Sequence, residues 1–449
     1  MKVCFVSLGC DKNRIDSEVM LHTLYDHGYE ITEDEDDAEA AVVNTCCFIL
    51  DAKKESIDRI LEFAEKRKDG RLKALIVAGC MAQRYGKEIR KEIPEVDEII
   101  GTTAIDQIAL ALDHAQMGEE NDYFENIDRK LEGNQKRILS TVGYFGYLRI
   151  AEGCNKHCTY CAIPMVRGAY RSVPEEDIIE EARSLAERGV KELILVAQET
   201  TLYGTDLDGK KHLPRLLKRL CREVEDVFIR LLYCYPEEIT PELIQVIKEE
   251  PKILHYLDMP VQSGSDQVLK RMGRRTSTSQ IREIVQMLRK EIPDICLRTT
   301  LITGFPGETS EEHEETLAMV EELCFDRLGV FPYSREEGTP AALMKGQLTE
   351  TVKKRRRDQI MKLQQKIAFA KNQSLKGITM QAMIEGSIPE EEGENGHPVY
   401  IARTYRDAPD VDGLLFLPYV QRDHESGDMI KVLITAAKGY DLIGKEVEA

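Results

Sequence analysis

Two series of alternating strand-like and helix-like segments constrain the fold of this 449-residue chain more than any other feature. In the first series, apolar runs such as VCFVSLG, AEAAVVNT and LKALIVAG alternate with amphipathic runs such as AKKESIDRILEFAEKRKDG. Alternation of a buried strand with a helix is typical of a parallel sheet covered by helices on both faces. The sequence therefore predicts a doubly wound parallel α/β domain over residues 1–116.

The second series predicts an incomplete barrel over residues 141–372. Its strand-like runs are YLRIA, ELILVAQ, VFIRLLY, LHYLDM, CLRTTLITG and RLGVFPY, with helical runs between them. A full β/α barrel has eight such units, so this one is two units short. We expect a six-stranded partial β/α barrel whose lateral opening suits a macromolecular substrate. Residues 117–140 are polar and aperiodic, and they read as a linker.

The C-terminal part changes character. Over residues 373–442, short alternating runs such as PVYIARTY and GLLFLPY are separated by Gly and Pro turns. This pattern predicts a small antiparallel β-barrel of the oligonucleotide-binding type. The basic run KKRRR at 353–357 starts the long helix that precedes it, and RMGRRT at 271–276 reads as a turn. We interpret both as solvated surface.

Composition excludes several classes of protein. No apolar run is long enough to cross a membrane, and MKVCFVSLGC reads as a first strand and not as a signal peptide. We therefore expect a cytoplasmic protein, in which the 12 cysteines do not form disulfides. The net charge of −19 disfavours non-specific binding of nucleic acid and favours a basic partner.

Three cysteines in EGCNKHCTYC, namely Cys154, Cys158 and Cys161, follow the first strand of the predicted barrel. The loops after such strands carry the active sites of β/α barrels. A structural zinc site needs four ligands, and His157 is poorly placed beside Cys158 to be the fourth. Three thiolates suit a 4Fe–4S cluster with one iron left open for a small molecule. A partial zinc site remains the alternative, and Tyr160 either packs on a cofactor ring or fills the core.

A second set of cysteines lies in the first domain. Cys10, Cys46 and Cys80 each follow a predicted strand, one βα unit apart. Because the carboxyl ends of parallel strands share one edge of a sheet, we expect these three side chains to converge. Cys47 is adjacent to Cys46 and cannot easily point the same way, so we leave it out. The set suits a second 4Fe–4S cluster with an open iron.

The spacing CxxxCxxC, with an aromatic residue before the last cysteine, is similar to the signature of radical S-adenosylmethionine enzymes. The whole chain, with two cysteine triads and a small C-terminal barrel, resembles the methylthiotransferase family. That resemblance implies an N-terminal methylthiotransferase iron–sulfur domain, a radical barrel and a C-terminal TRAM domain. It also implies that S-adenosyl-L-methionine binds the open iron at Cys154, Cys158 and Cys161 and serves as both radical source and methyl donor. The cluster at Cys10, Cys46 and Cys80 would deliver sulfur, so that C–H becomes C–S–CH₃.

Members of this family modify either an aspartate β-carbon of ribosomal protein S-twelve or a transfer-RNA adenosine. Stretches such as SLGCDKNRIDSE, AQETTLYGTDL and RTYRDAPDVDG resemble the ribosomal-protein branch, and residues 374–442 carry 12 acidic and 6 basic residues. An acidic barrel suits a basic protein better than a phosphate backbone. VQSGSD is commoner in the transfer-RNA branch, so that substrate stays open, and a non-catalytic metal- or RNA-binding module is the alternative of another class.

Further residues are expected at the cofactor and at partners. Gln198, Glu199 and Arg298 are predicted at strand ends that face the pocket, where Arg298 would pair with the cofactor carboxylate. Gly304 of GFPGE is predicted to allow close approach of backbone to cofactor. The resemblance also implies a small-subunit ribosomal protein as substrate, an electron donor and a sulfur source. Contact with RNA would be secondary, and no membrane is involved.

Overall fold

The first domain of the computed structural model is a parallel α/β sheet covered by helices; the structure describes residues 1–131, 133 and 135–448. Its elements are β1 (Lys2–Ser7), α1 (Asp11–Asp26), β2 (Glu30–Thr32), β3 (Ala40–Thr45), α2 (Leu50–Lys68), β4 (Ala74–Gly79), α3 (Cys80–Glu92), β5 (Glu98–Ile100), α4 (Ile108–Met117) and β6 (Asn121–Tyr123). Over the described residues, the strand order is β2-β1-β3-β4-β5-β6, and every neighbouring pair is parallel. The doubly wound fold is confirmed.

The two central strands of this sheet carry the apolar runs from which the sequence predicts it. β3 (AAVVNT) and β4 (ALIVAG) are buried along their whole length, as expected of parallel strands covered on both faces. The edge strands β2 and β6 have three residues each and lack such an apolar run. β6 lies inside residues 117–140, the range predicted as linker, and it pairs with β5.

The second domain is the six-stranded partial barrel that the sequence predicts. Its elements are β7 (Phe145–Arg149), β8 (Ala151–Glu152), α5 (Ile163–Arg167), β9 (Arg171–Ser172), α6 (Glu175–Glu187), β10 (Glu192–Val196), α7 (Thr205–Asp208), α8 (Leu213–Glu223), β11 (Phe228–Leu231), α9 (Pro241–Glu249), β12 (Ile253–Asp258), α10 (Asp266–Arg271), α11 (Thr278–Glu291), β13 (Cys296–Thr303), α12 (Ser310–Leu323), β14 (Arg327–Pro332) and α13 (Glu350–Ser374). The strand order β7-β10-β11-β12-β13-β14 is parallel throughout the described part of the chain. β8 and β9 form a short antiparallel pair beside it.

The third domain is a closed barrel, as expected. Its strands are β15 (Thr379–Glu392), β16 (Pro398–Thr404), β17 (Leu415–Tyr419), β18 (Met429–Lys438) and β19 (Asp441–Glu446). Most of its pairings are antiparallel, but β17 and β19 pair in parallel. Closure removes the exposed sheet edges that a small β domain would otherwise present.

Helix α13 is only partly the solvated basic helix that the run KKRRR suggested. Lys354 and Arg355 are exposed, but Lys353 and Arg356 are buried. Lys353 donates to the carbonyl of Tyr333 at 2.8 Å, and Arg356 pairs with Glu308 at 2.6 Å. These two cations therefore attach the helix to the barrel. Within the described residues, none of the helices combines the length and the apolar character that a membrane crossing requires.

The C-terminal domain covers the end of the partial barrel at which the strands begin. Arg230 of β11 is fully buried and bonds both Glu192, at 2.6 Å, and the carbonyl of Tyr405, at 2.8 Å. Arg403 of β16 bonds the same Glu192 at 2.7 Å. Burial alone would raise the pKa of the Glu192 carboxyl, and the two arginines hold it below its usual range. The barrel is therefore closed by charged contacts at this end.

Replacement of Arg403 should loosen this closure. Arg403→Met leaves Glu192 with one arginine and removes the 2.9 Å contact to Glu385, so the buried carboxylate of Glu192 and the partly buried one of Glu385 each lose a cation. Breaking a buried pair of this kind costs about 3 kcal/mol or more. We expect a lower midpoint of thermal unfolding and faster proteolysis between the barrel and the C-terminal domain. Arg422→Met, at an exposed position of the same domain, is the matched control. Equal midpoints for the two variants would contradict the closure described above.

Candidate metal centres

The N-terminal cysteines lie at one edge of the first sheet. Cys10 follows β1 by three residues, Cys46 follows β3 directly, and Cys80 follows β4 directly as the first residue of α3. Because β1, β3 and β4 are neighbours and parallel, their carboxyl ends meet at this edge. The fold thus brings the three predicted residues to one end of three adjacent strands.

Two glycines allow this close approach. Gly9 has φ +95°, and a Cβ there would lie 2.8 Å from Cβ of Cys46. Gly79 has φ +91°, and a Cβ there would lie 2.2 Å from the side-chain oxygen of Asn44. Any other residue would collide and would also adopt a left-handed backbone at a cost. Both glycines immediately precede a predicted ligand, so they set how closely the Cys10 and Cys80 loops approach β3.

The thiols of this first set affect one another electrostatically. Burial raises the pKa of Cys46 to about 11; the neighbouring thiols of Cys10 and Cys47 contribute to this rise, and a backbone hydrogen bond from Phe48 opposes it. Burial raises the pKa of Cys80 to about 12, against the opposing effect of Arg167, whose Nη2 lies 3.4 Å from its sulfur. Binding of iron therefore has to release protons from buried thiols. The guanidinium of Arg167 suits the negative charge that thiolates and a cluster would bring.

Cys47 lies elsewhere. It is 1% exposed, packs in the core of the first domain and donates its thiol to the carbonyl of Cys80 at 3.3 Å. The alternation of side-chain direction along an extended chain separates it from Cys46.

The second set of cysteines lies in the loop between β8 and β9. Gly153 precedes Cys154 with φ +79°, and a Cβ there would lie 2.0 Å from the carbonyl oxygen of Ala169. The backbone N–H of Lys156 donates to the sulfur of Cys154 at 3.5 Å. Backbone donors of this kind stabilise thiolates and tune cluster potentials. His157 is exposed, with φ 52°, so the structure gives it no place beside the buried thiols of Cys154 and Cys158.

A buried arginine, Arg274, lies near the second set of cysteines, and the sequence analysis does not predict it. The side chain of Arg274 is fully buried, its guanidinium lies 4.0 Å over the ring of Tyr235, and its charge acts on Cys158 and Tyr160. Its Nε and Nη1 have no hydrogen-bond partner among the described residues. The prediction of a solvated turn for RMGRRT is wrong for Arg274. Nothing in the run itself distinguishes this buried arginine from the exposed Arg275.

Two buried hydrogen-bond acceptors without a partner, on Gln198 and Glu199, also belong to the second site. Gln198 donates to Glu152 at 2.6 Å, while Oε1 of Gln198 and Oε2 of Glu199 are buried without a partner in the described part of the chain. Burial raises the pKa of Glu199 to about 8, and the Thr201 hydroxyl and Lys156 oppose this shift. Unpaired donors and acceptors near a cysteine triad match a ligand with both an ammonium and a carboxylate group. The site therefore fits an iron–sulfur cluster with S-adenosylmethionine.

Arg298 and Gly304, both predicted at the cofactor, have protein contacts of their own. Arg298 is the third residue of β13 and not its end; it contacts Asp258 and Asp412 at 3.2 and 3.6 Å. Gly304 packs against α13, where a Cβ would lie 2.4 Å from Cγ of Lys353. The contacts of both residues are therefore accounted for by packing and ion pairs.

Tyr160 packs edge-on against Phe305, with ring centroids 6.4 Å apart, next to Cys158. It joins the apolar cluster beneath the loops that follow the barrel strands.

One charged network joins the two cysteine sets. Arg167 contacts Asp16 at 2.6 Å, Glu152 at 3.4 Å and the sulfur of Cys80 at 3.4 Å. Glu152 stands two residues before Cys154. Burial alone would raise the pKa of Glu152, and Arg167 together with Arg149 holds it below its usual range. A single guanidinium thus reaches from one cysteine set to the strand that carries the other.

In the described ranges, no three His, Cys, Asp or Glu side chains meet closely enough to hold one metal ion. A four-iron cluster takes each thiolate at a different iron atom, so its ligands lie further apart than those of zinc.

Comparison with known proteins agrees with this architecture. The profile of the radical SAM superfamily matches residues 148–320, uncharacterized protein family UPF0004 matches residues 2–101, and the TRAM domain matches residues 377–447. The ribosomal protein uS12 methylthiotransferase RimO of Lachnoclostridium phytofermentans is 54% identical over 99% of both chains. The protein of the same name from Geobacter sulfurreducens is 47% identical over 99% of this chain and 98% of that one.

Solved structures resemble the fold at low sequence identity. The radical S-adenosylmethionine methyltransferase TsrM from Kitasatospora setae superposes with a TM-score of 0.55 at 15% identity, covering 76% of this chain and 77% of that chain. The cobalamin-dependent S-adenosylmethionine radical enzyme OxsB gives a TM-score of 0.52 at 15% identity, covering 76% of this chain and 54% of that chain. These likenesses concern the fold alone.

Two adjacent cysteines allow a sharp test of the first site. Cys46→Ser should lower reconstituted iron by about one cluster, roughly four irons per chain, because it removes a predicted ligand. Cys47→Ser should retain the iron, since its hydroxyl can still donate to the carbonyl of Cys80. Iron and sulfide analysis with electron paramagnetic resonance of the reduced proteins measures both. Iron loss in Cys47→Ser, or none in Cys46→Ser, would contradict the assignment of Cys46 and not Cys47.

Proposed function

This chain belongs to the ribosomal protein uS12 methylthiotransferase family and is a radical S-adenosylmethionine enzyme, and on that premise we propose its substrate and the roles of its residues. Its substrate is ribosomal protein uS12, in which it replaces a hydrogen on the β-carbon of an aspartate by a methylthio group. The observation that carries this proposal is the pair of cysteine triads that Arg167 joins across two domains.

The radical site is proposed at Cys154, Cys158 and Cys161, with a 4Fe–4S cluster and S-adenosyl-L-methionine bound together. When bound, they supply the radical that removes a hydrogen atom from an unactivated carbon. The unpaired N–H groups of Arg274 would receive the carboxylate of the cofactor. Glu199 and Gln198, whose buried oxygens have no partner among the described residues, would accept hydrogen bonds from its ammonium group. Tyr160 would shield the cluster from solvent by its packing on Phe305.

The second cluster is proposed at Cys10, Cys46 and Cys80. Arg167 would compensate its negative charge, as it already compensates that of Asp16 and Glu152. An external sulfur source would reload this site, and a reducing protein would supply electrons to the chain. We place the enzyme in the cytoplasm, where ribosomal proteins are found and thiols stay reduced.

The substrate would approach between the first domain and the open side of the barrel. The strand-start end is covered by the C-terminal domain through contacts such as Arg327 with Asp407, so that end offers no entry. The acidic C-terminal domain would attract the basic ribosomal protein and raise its rate of association. We place the domain boundaries at residues 1–123, 141–372 and 373–446 on the basis of the strands that each sheet contains.

Two triple variants separate the proposed roles. Cys154→Ala, Cys158→Ala and Cys161→Ala together should leave about four irons per chain and abolish cleavage of S-adenosylmethionine. Cys10→Ala, Cys46→Ala and Cys80→Ala together should also leave about four irons. This second variant should still cleave the cofactor under reductant but should add no methylthio group to uS12.

Mass spectrometry of uS12 incubated with each reconstituted enzyme reads out the modification as the added mass of one sulfur and one CH₂ unit. The wild-type chain should hold about eight irons and should give this adduct on an aspartate. An unmodified uS12, together with methylthiolated adenosine in transfer RNA treated in parallel, would overturn the substrate. Methylthiolation of uS12 by the Cys10, Cys46 and Cys80 variant would overturn the role of the second cluster.

A further inference from the structure

A buried lysine stands beside the first cysteine set without an evident structural role. Lys12 is 5% exposed and lies two residues after Cys10, in the first turn of α1. Its ammonium contacts Oδ1 of Asp11 at 3.2 Å and lies 3.1 Å from the ring centroid of Tyr233. Tyr233 lies two residues after the end of β11, a strand of the barrel, so this ammonium lies where the two domains meet.

The contacts of Lys12 do not offset the cost of burying it. An ammonium group has three N–H donors, and burial of a charged lysine is rare unless the charge is well paired. The one carboxylate that pairs with it is that of the adjacent Asp11, whose Oδ1 is shared with the hydroxyl of Tyr233. A cation–π contact contributes only about 2 kcal/mol when desolvated. Stability alone therefore does not explain why this position holds a buried cation.

The neighbouring Asp11 has an unpaired hydrogen-bond acceptor. Its Oδ1 accepts hydrogen bonds from Lys12 and from the hydroxyl of Tyr233, at 3.0 Å. Its Oδ2 is buried and has no partner among the residues that the structure describes. A buried carboxylate oxygen without a donor is costly, so a group with an N–H is expected to approach it. Two adjacent residues thus carry an ammonium with a single hydrogen-bond partner among the described residues and a carboxylate oxygen with none.

Tyr233, whose ring lies under Lys12, has a strained backbone. Its φ is 60°, a conformation that costs a non-glycine residue energy and recurs at functional sites. Its N–H donates to Asp258 at 3.1 Å and its hydroxyl to Asp11, so both ends of the residue are fixed. The ring under Lys12 is therefore held rigidly, as a residue that positions a ligand should be.

We propose that Lys12 binds the side-chain carboxylate of the target aspartate, while Oδ2 of Asp11 accepts a backbone N–H of the same substrate segment. This inference rests on the proposed function and adds to it a residue that determines specificity. The β-carbon that receives the methylthio group is bonded directly to the carboxylate carbon. A carboxylate held at Lys12 therefore brings that β-carbon next to the cluster site at Cys10, where sulfur is delivered. The same ammonium favours an aspartate over its uncharged amide and over a nucleobase.

The test uses reconstituted full-length enzyme and two synthetic peptides of the uS12 segment, one with aspartate and one with asparagine at the target position. Lys12→Met, which keeps the length and apolar stem of lysine, is compared with Lys12→Arg and with Lys87→Met at an exposed position. Iron content, KM and kcat for each peptide, and the ratio of aspartate to asparagine modification are measured.

The wild type and Lys87→Met should prefer the aspartate peptide. Lys12→Met should raise KM for that peptide at least about tenfold, as expected for loss of a charge-assisted hydrogen bond, and should bring the ratio close to one. Lys12→Arg should restore part of the preference, and all variants should keep about eight irons.

Three results would overturn the inference: an unchanged ratio in Lys12→Met, a wild type that does not distinguish the peptides, or iron loss in Lys12→Met, which would make Lys12 structural. Failure of the wild type to modify either peptide or intact uS12 would instead refute the proposed function itself.

Discussion

The arrangement of the two cysteine sets depends on one buried guanidinium. Arg167 lies at the end of the short helix that follows the second set, and it pairs with Asp16 of the first domain while touching the sulfur of Cys80. An ion pair in this environment is stable only if every charge is matched, and Arg149 and Glu152 provide the remaining matches. The two domains therefore cannot shift against each other without leaving a charge unpaired. The proposed reaction, which would take a radical from one site and sulfur from the other, needs such a fixed relation.

The two ends of the barrel differ in whether their buried polar groups are paired, and this difference determines which end can bind ligands. Charged residues at the strand starts, such as Glu192 and Arg327, are paired with the C-terminal domain. The opposite end carries the cysteine loop, Arg274 and Glu199, which retain unpaired polar atoms among the described residues. Ion pairs close the end at which the strands begin, whereas the other end has polar atoms without hydrogen-bond partners among the described residues. Ligands therefore bind at that other end, which is where β/α barrels carry their active sites.

The sequence predicted the fold classes because the buried strands are long and apolar. It placed Cys10, Cys46 and Cys80 together because the ends of neighbouring parallel strands share one edge of the sheet, and Cys154, Cys158 and Cys161 together because they lie in one loop. It missed β2 and β6, which are too short to show a period. It placed Arg298 at the end of a strand, whereas this residue is the third of β13 and pairs with Asp258 of β12. It also missed Arg167, Arg274 and Lys12, because burial of a basic side chain is decided by distant segments that pack over it.

The end of β16 and the segment that follows it have a consequence for the evolution of the chain. Arg403, Asp407 and Asp412 belong to the C-terminal domain, yet their partners lie on several strands of the barrel. A domain attached by a flexible tether can be exchanged between relatives or recruited to another enzyme without harm. The C-terminal domain instead covers one end of the barrel and pairs with its charged residues, so substitutions in the two domains have to be compatible with each other. The C-terminal barrel is thus a module by its fold and an inseparable part of the enzyme by its contacts.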